Sequence, residues 1–408
     1  MSRLGLFQGF GVEIEYMIVD AESLGVRPVC DRLMEAMAGE PVSELERDEI
    51  AWSNELVLHV LELKTNGPAP RLEGLGSAFH REVAVANEAL AGMGCTLLPG
   101  GVHPWMDPLK ETQLWPHEYN QVYQTFDRIF GCSGHGWSNL QSTHLNLPFR
   151  DDRDFRRLHA AIRAAIPLIP ALAAASPFLE GEVAPHLDAR LEAYRGNARK
   201  IPEVAGVVVP DPVSTEDEYR DRILQPLYDA LAPYDPEGVL RHEWANARGS
   251  IARFERGAIE IRVIDAQECP SADLAVVSMV TALVRALAEE RWAPIRALDA
   301  IPTSPLSALF VEAVRSGGDA PVRDRSYLEA LGWNRSEASA LDVWRRLADR
   351  LAPDLVPPEY ARALETIVAH GPLAARMVRA HGEGGRSIRA IAGELEACLR
   401  EDRLFATG

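Results

Sequence analysis

An alternation of apolar and polar positions near the start of the chain predicts a β-strand over residues 10–20. Residues two apart share a face of a strand, so one face would carry Val12, Ile14, Tyr16 and Ile18. The opposite face would carry Glu13, Glu15, Met17 and Val19. The first strand therefore combines an apolar face suited to a core with a face that bears an acidic patch.

Strand and helix patterns mix through the following part of the chain. Apolar runs that end at a turn or a proline predict strands over 56–64, 96–99 and 143–149. Two apolar segments around Arg256-Gly257-Ala258 predict a hairpin with strands at 250–255 and 259–265. Helical patterns cover 71–93, 154–172 and 272–292, and residues 176–214 are predicted to be mostly loop. The stretch 164–179 contains three prolines and predicts a buried, bent helical segment.

Beyond Ala293 the chain shows only helical periodicity, at 327–331, 338–351 and 387–399, and no strand pattern recurs. This order predicts an α+β fold with a mainly antiparallel sheet flanked by helices and an all-helical C-terminal region. We therefore expect a catalytic unit over residues 1–295, with the helical region 296–408 packed on it.

Composition and charge limit the kinds of partner. The 408 residues carry 60 acids against 42 bases, for a formal charge of −18, which disfavours nucleic acid because phosphate contacts need a basic surface. A nucleotide held through divalent metal ions stays open. Five scattered cysteines predict reduced thiols, and the N-terminal residues predict no signal peptide. We expect a cytoplasmic protein with small-molecule substrates and no membrane partner; a homo-oligomer is compatible with the sequence.

Several familiar catalytic motifs are absent from the sequence. It has no G-x-x-x-x-G-K-[S/T] phosphate loop, no G-x-G-x-x-G after a strand and no H-E-x-x-H zinc motif. Residues 131–136 lack the last glycine of a G-x-S-x-G nucleophile turn, because His135 stands there. These absences disfavour a phosphate-loop nucleotide site, a zinc protease and a serine hydrolase.

Four predicted strand segments carry carboxylates, imidazole or guanidinium groups that could share one face. They are Glu13 with Glu15, Glu55 with Glu62, His144 with Asn146, and Glu260 with Arg262. Each pair alone is compatible with a solvent-facing strand, and Glu260 with Arg262 is compatible with a same-strand ion pair. Together they would gather like charges that repel one another unless cations compensate them. Carboxylate oxygens favour Mg²⁺ or Mn²⁺ over zinc, and such ions suit phosphoryl transfer.

The spacing of Glu55 and Glu62 is unusual for a strand. Seven is an odd separation, which would place the two side chains on opposite faces of a regular strand. Either a bulge lies between them or Glu55 precedes the strand proper.

In sequence order, these segments resemble the glutamate-cysteine ligase superfamily, in particular its bacterial carboxylate-amine ligase branch, which is related to glutamine synthetase. The resemblance lies in residues 11–20, the Glu55/Glu62 pair, Ser142-Thr-His-Leu-Asn146, residues 176–181 with Asp188, Arg190 and Tyr194, and residues 257–265. It covers about residues 8–290 of the chain.

This resemblance implies a curved, six-stranded antiparallel sheet that forms a funnel for ATP and two or three Mg²⁺ ions. It implies metal ligation by Glu13, Glu15, Glu55, Glu62, His144 and Glu260. Arg262 would contact the transferred phosphoryl group, with Arg253 as a second phosphate contact. Arg199 and Lys200 are weaker candidates for nucleotide binding. Asn146 is a further candidate for contact with the nucleotide or substrate, although it departs from the pattern because relatives often carry a second histidine there.

Three functions follow from these expectations. The first is an ATP-dependent ligase that joins a carboxylate such as that of glutamate to an amine such as cysteine, through an acyl phosphate. The metal ions, Glu62 and the arginines would position the groups and neutralise charge. The second is a kinase of guanidino or other small substrates on the same sheet. The third is a relative without activity that serves as a binding subunit.

Overall fold

The computed structural model describes residues 3–406, which form a mixed α/β fold. Its strands are β1 (Gly11–Asp20), β2 (Glu44–Leu45), β3 (Ile50–Asn54), β4 (Val60–Thr65), β5 (Cys95–Leu98), β6 (Ser142–Pro148), β7 (Phe178–Leu179), β8 (Glu182–Val183), β9 (Ser250–Arg253), β10 (Ala258–Asp265), β11 (Pro321–Val322) and β12 (Ala338–Ser339). The first ten helices are α1 (Cys30–Ala38), α2 (Leu75–Ala91), α3 (Pro108–Glu111), α4 (Asn120–Phe130), α5 (His135–Ser138), α6 (Asp152–Ala165), α7 (Ile169–Ala173), α8 (Ala189–Asn197), α9 (Glu216–Tyr219) and α10 (Gln225–Leu231). The remaining helices are α11 (Pro270–Ala288), α12 (Ile295–Asp299), α13 (Thr303–Ser316), α14 (Arg325–Ala330), α15 (Ala340–Leu355), α16 (Ala361–His370), α17 (Leu373–Gly382) and α18 (Ile388–Glu401).

The main sheet is antiparallel and has β1 near its centre. Its strand order is β2-β3-β4-β1-β6-β10-β9, with β5 also paired to β1. The long strand β1 shares one edge between two partners, because β6 pairs with residues 11–14 and β5 with residues 17–20. The predicted antiparallel sheet flanked by helices is confirmed.

The expected number of strands was too low, because the main sheet has eight instead of six. The sequence did not predict β2 or β3. The five residues of β3, Ile-Ala-Trp-Ser-Asn, are all buried and show no alternation of apolar and polar positions. The two-residue strand β2 pairs with the outer edge of β3. Without alternation or length, neither segment offers the pattern that identifies a strand.

Helices cover the apolar face of the sheet. Val12, Ile14, Tyr16 and Ile18 of β1 are fully buried, as their alternation predicts, in the same core as helices α2, α6 and α11. Within residues 3–406, α11 is the one helix long and apolar enough to cross a membrane. Of its most apolar 18-residue window, 89 % is buried inside the fold, which is typical of a core helix.

The prolines of the apolar stretch after α6 bend the helix as expected. Helix α6 ends at Ala165, a 3-10 turn covers Ile166–Leu168, and α7 then begins at Ile169. Pro167 and Pro170 occupy the first turns of these two elements, where no backbone N–H is needed. The predicted helical segment is wrong beyond Ala173, because Phe178–Leu179 forms strand β7.

The C-terminal region is helical, with one exception. The two-residue strands β11 and β12 pair with each other, so the expectation of no strands after Ala293 is wrong in this detail. The region docks on the earlier part through buried hydrogen bonds: Trp344 Nε1 donates to the Leu168 carbonyl and the Tyr327 hydroxyl to the Ala164 carbonyl, both at 2.7 Å. The buried Arg376 also pairs with Glu268 at 2.7 Å. A division into units at residue 295 stays a prediction.

Candidate active site

The register of the main sheet brings the polar side chains of four strands onto one face. Glu13 of β1 lies opposite His144 of β6, and Glu15 lies opposite Glu62 of β4. On β10, Glu260 lies opposite Asn146 of β6. Residues directly opposite each other in an antiparallel pair project from the same face, so the sequence's separate acidic patches become one cluster.

Glu13, His144 and Asn146 are joined by hydrogen bonds. Glu13 Oε2 lies 3.1 Å from His144 Nδ1, and Asn146 Nδ2 donates to Glu13 Oε1 at 3.0 Å. Burial works to raise the pKa of Glu13, but the hydrogen bond and charge of His144 hold that pKa at about 2. Asn146 therefore orients a carboxylate of the cluster and lines the larger of two cavities there.

Glu15 lies where β6 separates from β1. Pairing of the two strands reaches Ile14 and Thr143, and the next N–H of β6, that of Ser142, donates to Glu15 Oε2 at 2.7 Å. The Ser142 hydroxyl also donates to Glu15 Oε2 at 3.0 Å and lies 3.0 Å from His144 Nε2. Since that hydroxyl hydrogen is used on Glu15, His144 Nε2 acts as the donor to Ser142.

Both ring nitrogens of His144 therefore act as donors, because Glu13 at the other nitrogen can only accept. This arrangement requires the imidazolium form. Although burial favours the neutral ring, Glu13 and Glu15 raise the pKa of His144. A metal ion at either nitrogen would have to displace a proton.

Glu55 lies in the loop after β3, before the strand that contains Glu62. This explains their odd spacing: Glu55 precedes the strand proper, which was one of the two alternatives. Burial, followed by the charges of Glu62 and Glu15, raises the pKa of Glu55 well above its ordinary value. Burial and the charge of Glu13 likewise raise the pKa of Glu62 to about 7, although Lys64 and the Ser53 hydroxyl oppose the shift.

Three arginine and lysine side chains border the carboxylates. Arg262 Nε lies 2.9 Å from Glu260 Oε1, and Arg253 Nη1 lies 3.5 Å from Glu260 Oε2. Arg253 also contacts Glu255 at 3.1 Å, so it forms a salt bridge within the hairpin and borders the cluster as well. Lys64 Nζ lies 3.7 Å from Glu62 Oε1.

Two groups of side chains have the geometry to hold a metal ion. In each group, one potential ligand atom from every residue lies within 4.8 Å of the ligand atoms of the other two. The groups are Glu13 with His144 and Glu260, and Glu15 with Glu62 and His144. Carboxylates dominate both groups, a donor set that fits Mg²⁺ or Mn²⁺ better than zinc. Burial, together with the charges of neighbouring acids, raises the pKa values of Glu55 and Glu62, and a divalent cation would compensate the charge of their carboxylates.

Two cavities adjoin the carboxylate cluster. The larger has a volume of about 760 Å³ and a lining rich in polar and charged side chains, which include Glu13, Lys64, Asn146, Arg253 and Arg256. The smaller has a volume of about 500 Å³ and is largely lined by aromatic and aliphatic side chains. Both are lined by Glu55, Tyr123, His144, Trp244 and Arg262. The cluster therefore lies at the junction of a polar and an apolar cavity.

A buried ion pair supports the end of the site-bearing strand β10. Arg190 Nε donates to Asp265, the last residue of β10, and both side chains are buried. Asp265 also accepts from the Ser176 hydroxyl at 2.7 Å and the Ala175 N–H at 2.7 Å. Asp188 caps helix α8 by accepting from the Leu191 N–H at 2.8 Å. The sequence suggested loop here, but α8 carries Arg190 and Tyr194 toward the site.

Not every sequence-predicted residue reaches the cavities. Lys200 Nζ donates to the Ile129 carbonyl at 2.7 Å and lies over the Tyr234 ring, and the neighbouring Arg199 is exposed. The structure thus places both away from the carboxylate cluster. Conversely, Lys64 and Arg256 line the larger cavity but were not singled out from the sequence. Lys64 follows Glu62 by two residues, a same-face spacing that could have identified it.

The fold and the position of the cluster define an α+β protein in which an antiparallel sheet presents acids, one histidine and arginines to adjoining cavities. The model of glutamate-cysteine ligase family 2 matches residues 9–398, so the chain belongs to this family. An uncharacterized protein of Archaeoglobus fulgidus is 32 % identical over 398 residues, which cover 97 % of this chain and 99 % of the relative. A Nocardioides protein named "Putative glutamate--cysteine ligase 2-1" is 25 % identical over 299 residues, which cover 69 % of each chain.

Among solved structures, the fold is similar to that of the Francisella tularensis glutamate-cysteine ligase in complex with AMP. The TM-score is 0.59 at 12 % identity, covering 100 % of this chain and 91 % of that chain. At this identity the likeness shows the fold alone.

Proposed function

We propose that this protein is an ATP-dependent carboxylate-amine ligase of the glutamate-cysteine ligase type. The observation that carries the proposal is the pair of metal-capable groups that share His144 on the sheet face, in a chain that belongs to this family over nearly its whole length. The reaction would join the γ-carboxylate of glutamate, or a similar acid, to an amine.

The polar cavity of about 760 Å³ has the volume of a small-molecule site and is the proposed ATP site. Glu13, Glu15, Glu55, Glu62, His144 and Glu260 would hold two or three Mg²⁺ ions. Bound Mg²⁺ would supply charge neutralisation of the phosphates. Asn146 would contribute by orienting Glu13, to which it donates.

The arginines of the cluster would act on the transferred phosphoryl group. Arg262 is fixed by Glu260 at 2.9 Å and lines both cavities, so it can contact a group that passes between them. Arg253, which lines the larger cavity, would make a second phosphate contact there. The substrate carboxylate would attack the γ-phosphate, release ADP and form an acyl phosphate; the amine would then displace phosphate and form the amide. This route needs no enzyme nucleophile, in agreement with the absent nucleophile motifs.

The test is amine-dependent ADP formation by the purified full chain with ATP, Mg²⁺ and glutamate, together with detection of the amide by mass spectrometry. Glu62→Gln and Arg262→Ala should each lower turnover by at least about 100-fold, because each removes charge stabilisation used in the transition state. Glu49→Gln is the matched control, since Glu49 lies on the surface and pairs with the exposed Arg81.

Near-normal turnover in Glu62→Gln or Arg262→Ala would contradict the assigned site. ADP formation that needs no amine and yields a stable phosphorylated product would instead establish a kinase. Absence of ATP turnover across amino-acid and amine panels would favour a binding subunit.

A further inference from the structure

The smaller cavity of about 500 Å³ has an aromatic wall contributed by three separate segments of the chain. Tyr119, Tyr123 and Phe126 come from the start of helix α4 and the residue before it, Trp137 from α5, and Trp244 from the 3-10 turn Glu243–Ala245. Phe126 lies between the two tryptophans, with ring centroids 5.4 Å from Trp137 and 6.0 Å from Trp244. These three rings therefore form one contiguous surface.

These rings are not sealed into a core. Tyr123, Phe126, Trp137 and Trp244 are only half-buried, and the Tyr119 side chain is 55 % exposed. Several large apolar side chains that face one open cavity expose apolar surface, which a ligand can cover. Such exposed apolar patches commonly mark binding sites.

The opposite end of the same cavity is polar and belongs to the carboxylate cluster. Glu15, Glu55, Ser142 and His144 line that end. Its two arginines are already paired, Arg262 with Glu260 at 2.9 Å and Arg190 with Asp265. A ligand in this cavity would thus place a polar head at the cluster and an apolar body against the rings. Because the carboxyl groups of Glu15 and Glu55 can accept hydrogen bonds at this end, the head is better matched by an amine than by a second carboxylate.

The volume argues against a small amine. Apolar ligand sites commonly enclose about 300–1,000 Å³. At about 30 Å³ per molecule, this cavity holds on the order of 15 waters. A small amine such as cysteine or alanine would displace few of them, and the others would stay in contact with the aromatic rings. A bulky apolar group would displace them.

We infer that the amine substrate carries a bulky apolar group, most simply an aromatic ring, which binds against Tyr119, Phe126, Trp137 and Trp244. This inference rests on the proposed function, because it names the amine of that reaction. Both an arylalkylamine and an aromatic amino acid have the required chemistry, and phenethylamine and phenylalanine distinguish them in the test.

The first measurement is the binding of phenethylamine to the full chain in the presence of Mg²⁺ and a non-hydrolysable ATP analogue. Tryptophan fluorescence monitors the binding. Saturable quenching is expected from Trp137 and Trp244, and ethylamine should bind at least about 100-fold more weakly, since each methylene in an apolar pocket contributes tenfold or more. Phenylalanine and cysteine are measured in parallel.

Variants separate the cavity from the rest of the surface. Val122→Trp fills the cavity from helix α4 and should abolish saturable binding, whereas Gln124→Trp adds the same ring to an exposed position of that helix and should leave it unchanged. Tyr119→Ala removes an exposed ring without opening the core and should weaken binding about tenfold. This variant provides the test if Val122→Trp does not fold.

The second measurement is amide formation from glutamate with each amine. A kcat/KM for phenethylamine or phenylalanine at least about 100-fold above that for ethylamine or cysteine supports the inference. Amide formation that favours the small amines overturns it while leaving the proposed function intact. Saturable phenethylamine binding without any ATP turnover supports the cavity assignment and counts against the proposed function. Absence of saturable aromatic binding in the folded wild-type protein overturns the inference.

Discussion

Arg190 donates from Nε to the carboxylate of Asp265, and neither side chain is exposed to solvent to any significant extent. The pair links helix α8 to the last residue of β10, and the Arg190 guanidinium also reaches the carbonyl of Arg262 at 3.4 Å. It thus fixes the backbone of the strand that carries Glu260 and Arg262. One buried contact thus joins two of the sequence segments that carry the resemblance, the one that contains Arg190 and residues 257–265.

Breaking this pair should destabilise the protein strongly. Arg190→Met leaves Asp265 buried without its cation, and removing one partner of a buried ion pair costs about 3–5 kcal/mol. Chemical denaturation monitored by circular dichroism measures the change in the free energy of unfolding. Arg195→Met on the same helix is the control, because its pair with Glu192 is half-exposed and contributes only about 0–1 kcal/mol. Equal losses in both variants would contradict a supporting role for the Arg190 pair.

A side chain at Gly101 should destabilise the protein, because Gly101 packs directly against the buried Asp265 carboxylate. A Cβ there would lie 2.6 Å from the Asp265 carboxyl carbon, and the Gly101 backbone is held by the Ala175 carbonyl at 3.1 Å. Gly101→Ala is therefore expected to cost about 1–3 kcal/mol and to lower the melting temperature. Gly134→Ala is the matched control, since a Cβ at Gly134 meets no described atom within 4 Å and its φ is negative. A melting temperature for Gly101→Ala equal to that of the control would show that the Asp265 side chain moves aside without cost.

Mg²⁺ binding should depend on pH. Without the ion, His144 has a raised pKa and Glu62 a pKa of about 7, and both groups must lose their protons to ligate a metal. Protons therefore compete with Mg²⁺ below about pH 7, and affinity rises with pH through that range. The Glu62 proton alone predicts an affinity about tenfold higher at pH 8 than at pH 6, and displacement of the His144 proton adds to this change.

The Mg²⁺-dependent rise in melting temperature at the two pH values measures this effect, because a ligand stabilises the folded state according to its affinity. The melting temperature without Mg²⁺ at each pH is the baseline. Glu62→Gln should show a smaller rise and a flatter pH dependence. A rise in wild type that is independent of pH would show that neither proton is displaced.

Local patterns predicted the first strand and the acidic cluster correctly for clear physical reasons. The period-2 alternation in β1 places Ile14 on the buried face and Glu13 and Glu15 on the face of the site. Because the apolar face must be buried, the register of β4 and β6 against β1 is restricted to pairings that keep their apolar side chains on that face. The odd spacing of Glu55 and Glu62 predicted an irregularity, which the structure locates in the loop before β4.

Other features depend on contacts between distant segments and leave no local signal. Strand β3 is buried throughout, so it lacks alternation, and the Arg190–Asp265 pair joins residues 75 apart in the chain. The aromatic wall is assembled from Phe126, Trp137 and Trp244, which no sequence period connects. Arg199 and Lys200 carry the charge that a phosphate contact needs, but charge does not determine which way a loop turns.

In the proposed reaction, ATP phosphorylates the substrate carboxylate before the amine attacks. This order is tested with the wild-type enzyme, ATP, Mg²⁺, an amine that supports turnover and glutamate labelled with ¹⁸O in its γ-carboxylate, by ³¹P NMR of the released phosphate. An acyl-phosphate route transfers one carboxylate oxygen to phosphorus, so each inorganic phosphate formed with the amide should carry one ¹⁸O atom. Amide formation with unlabelled phosphate would contradict this order.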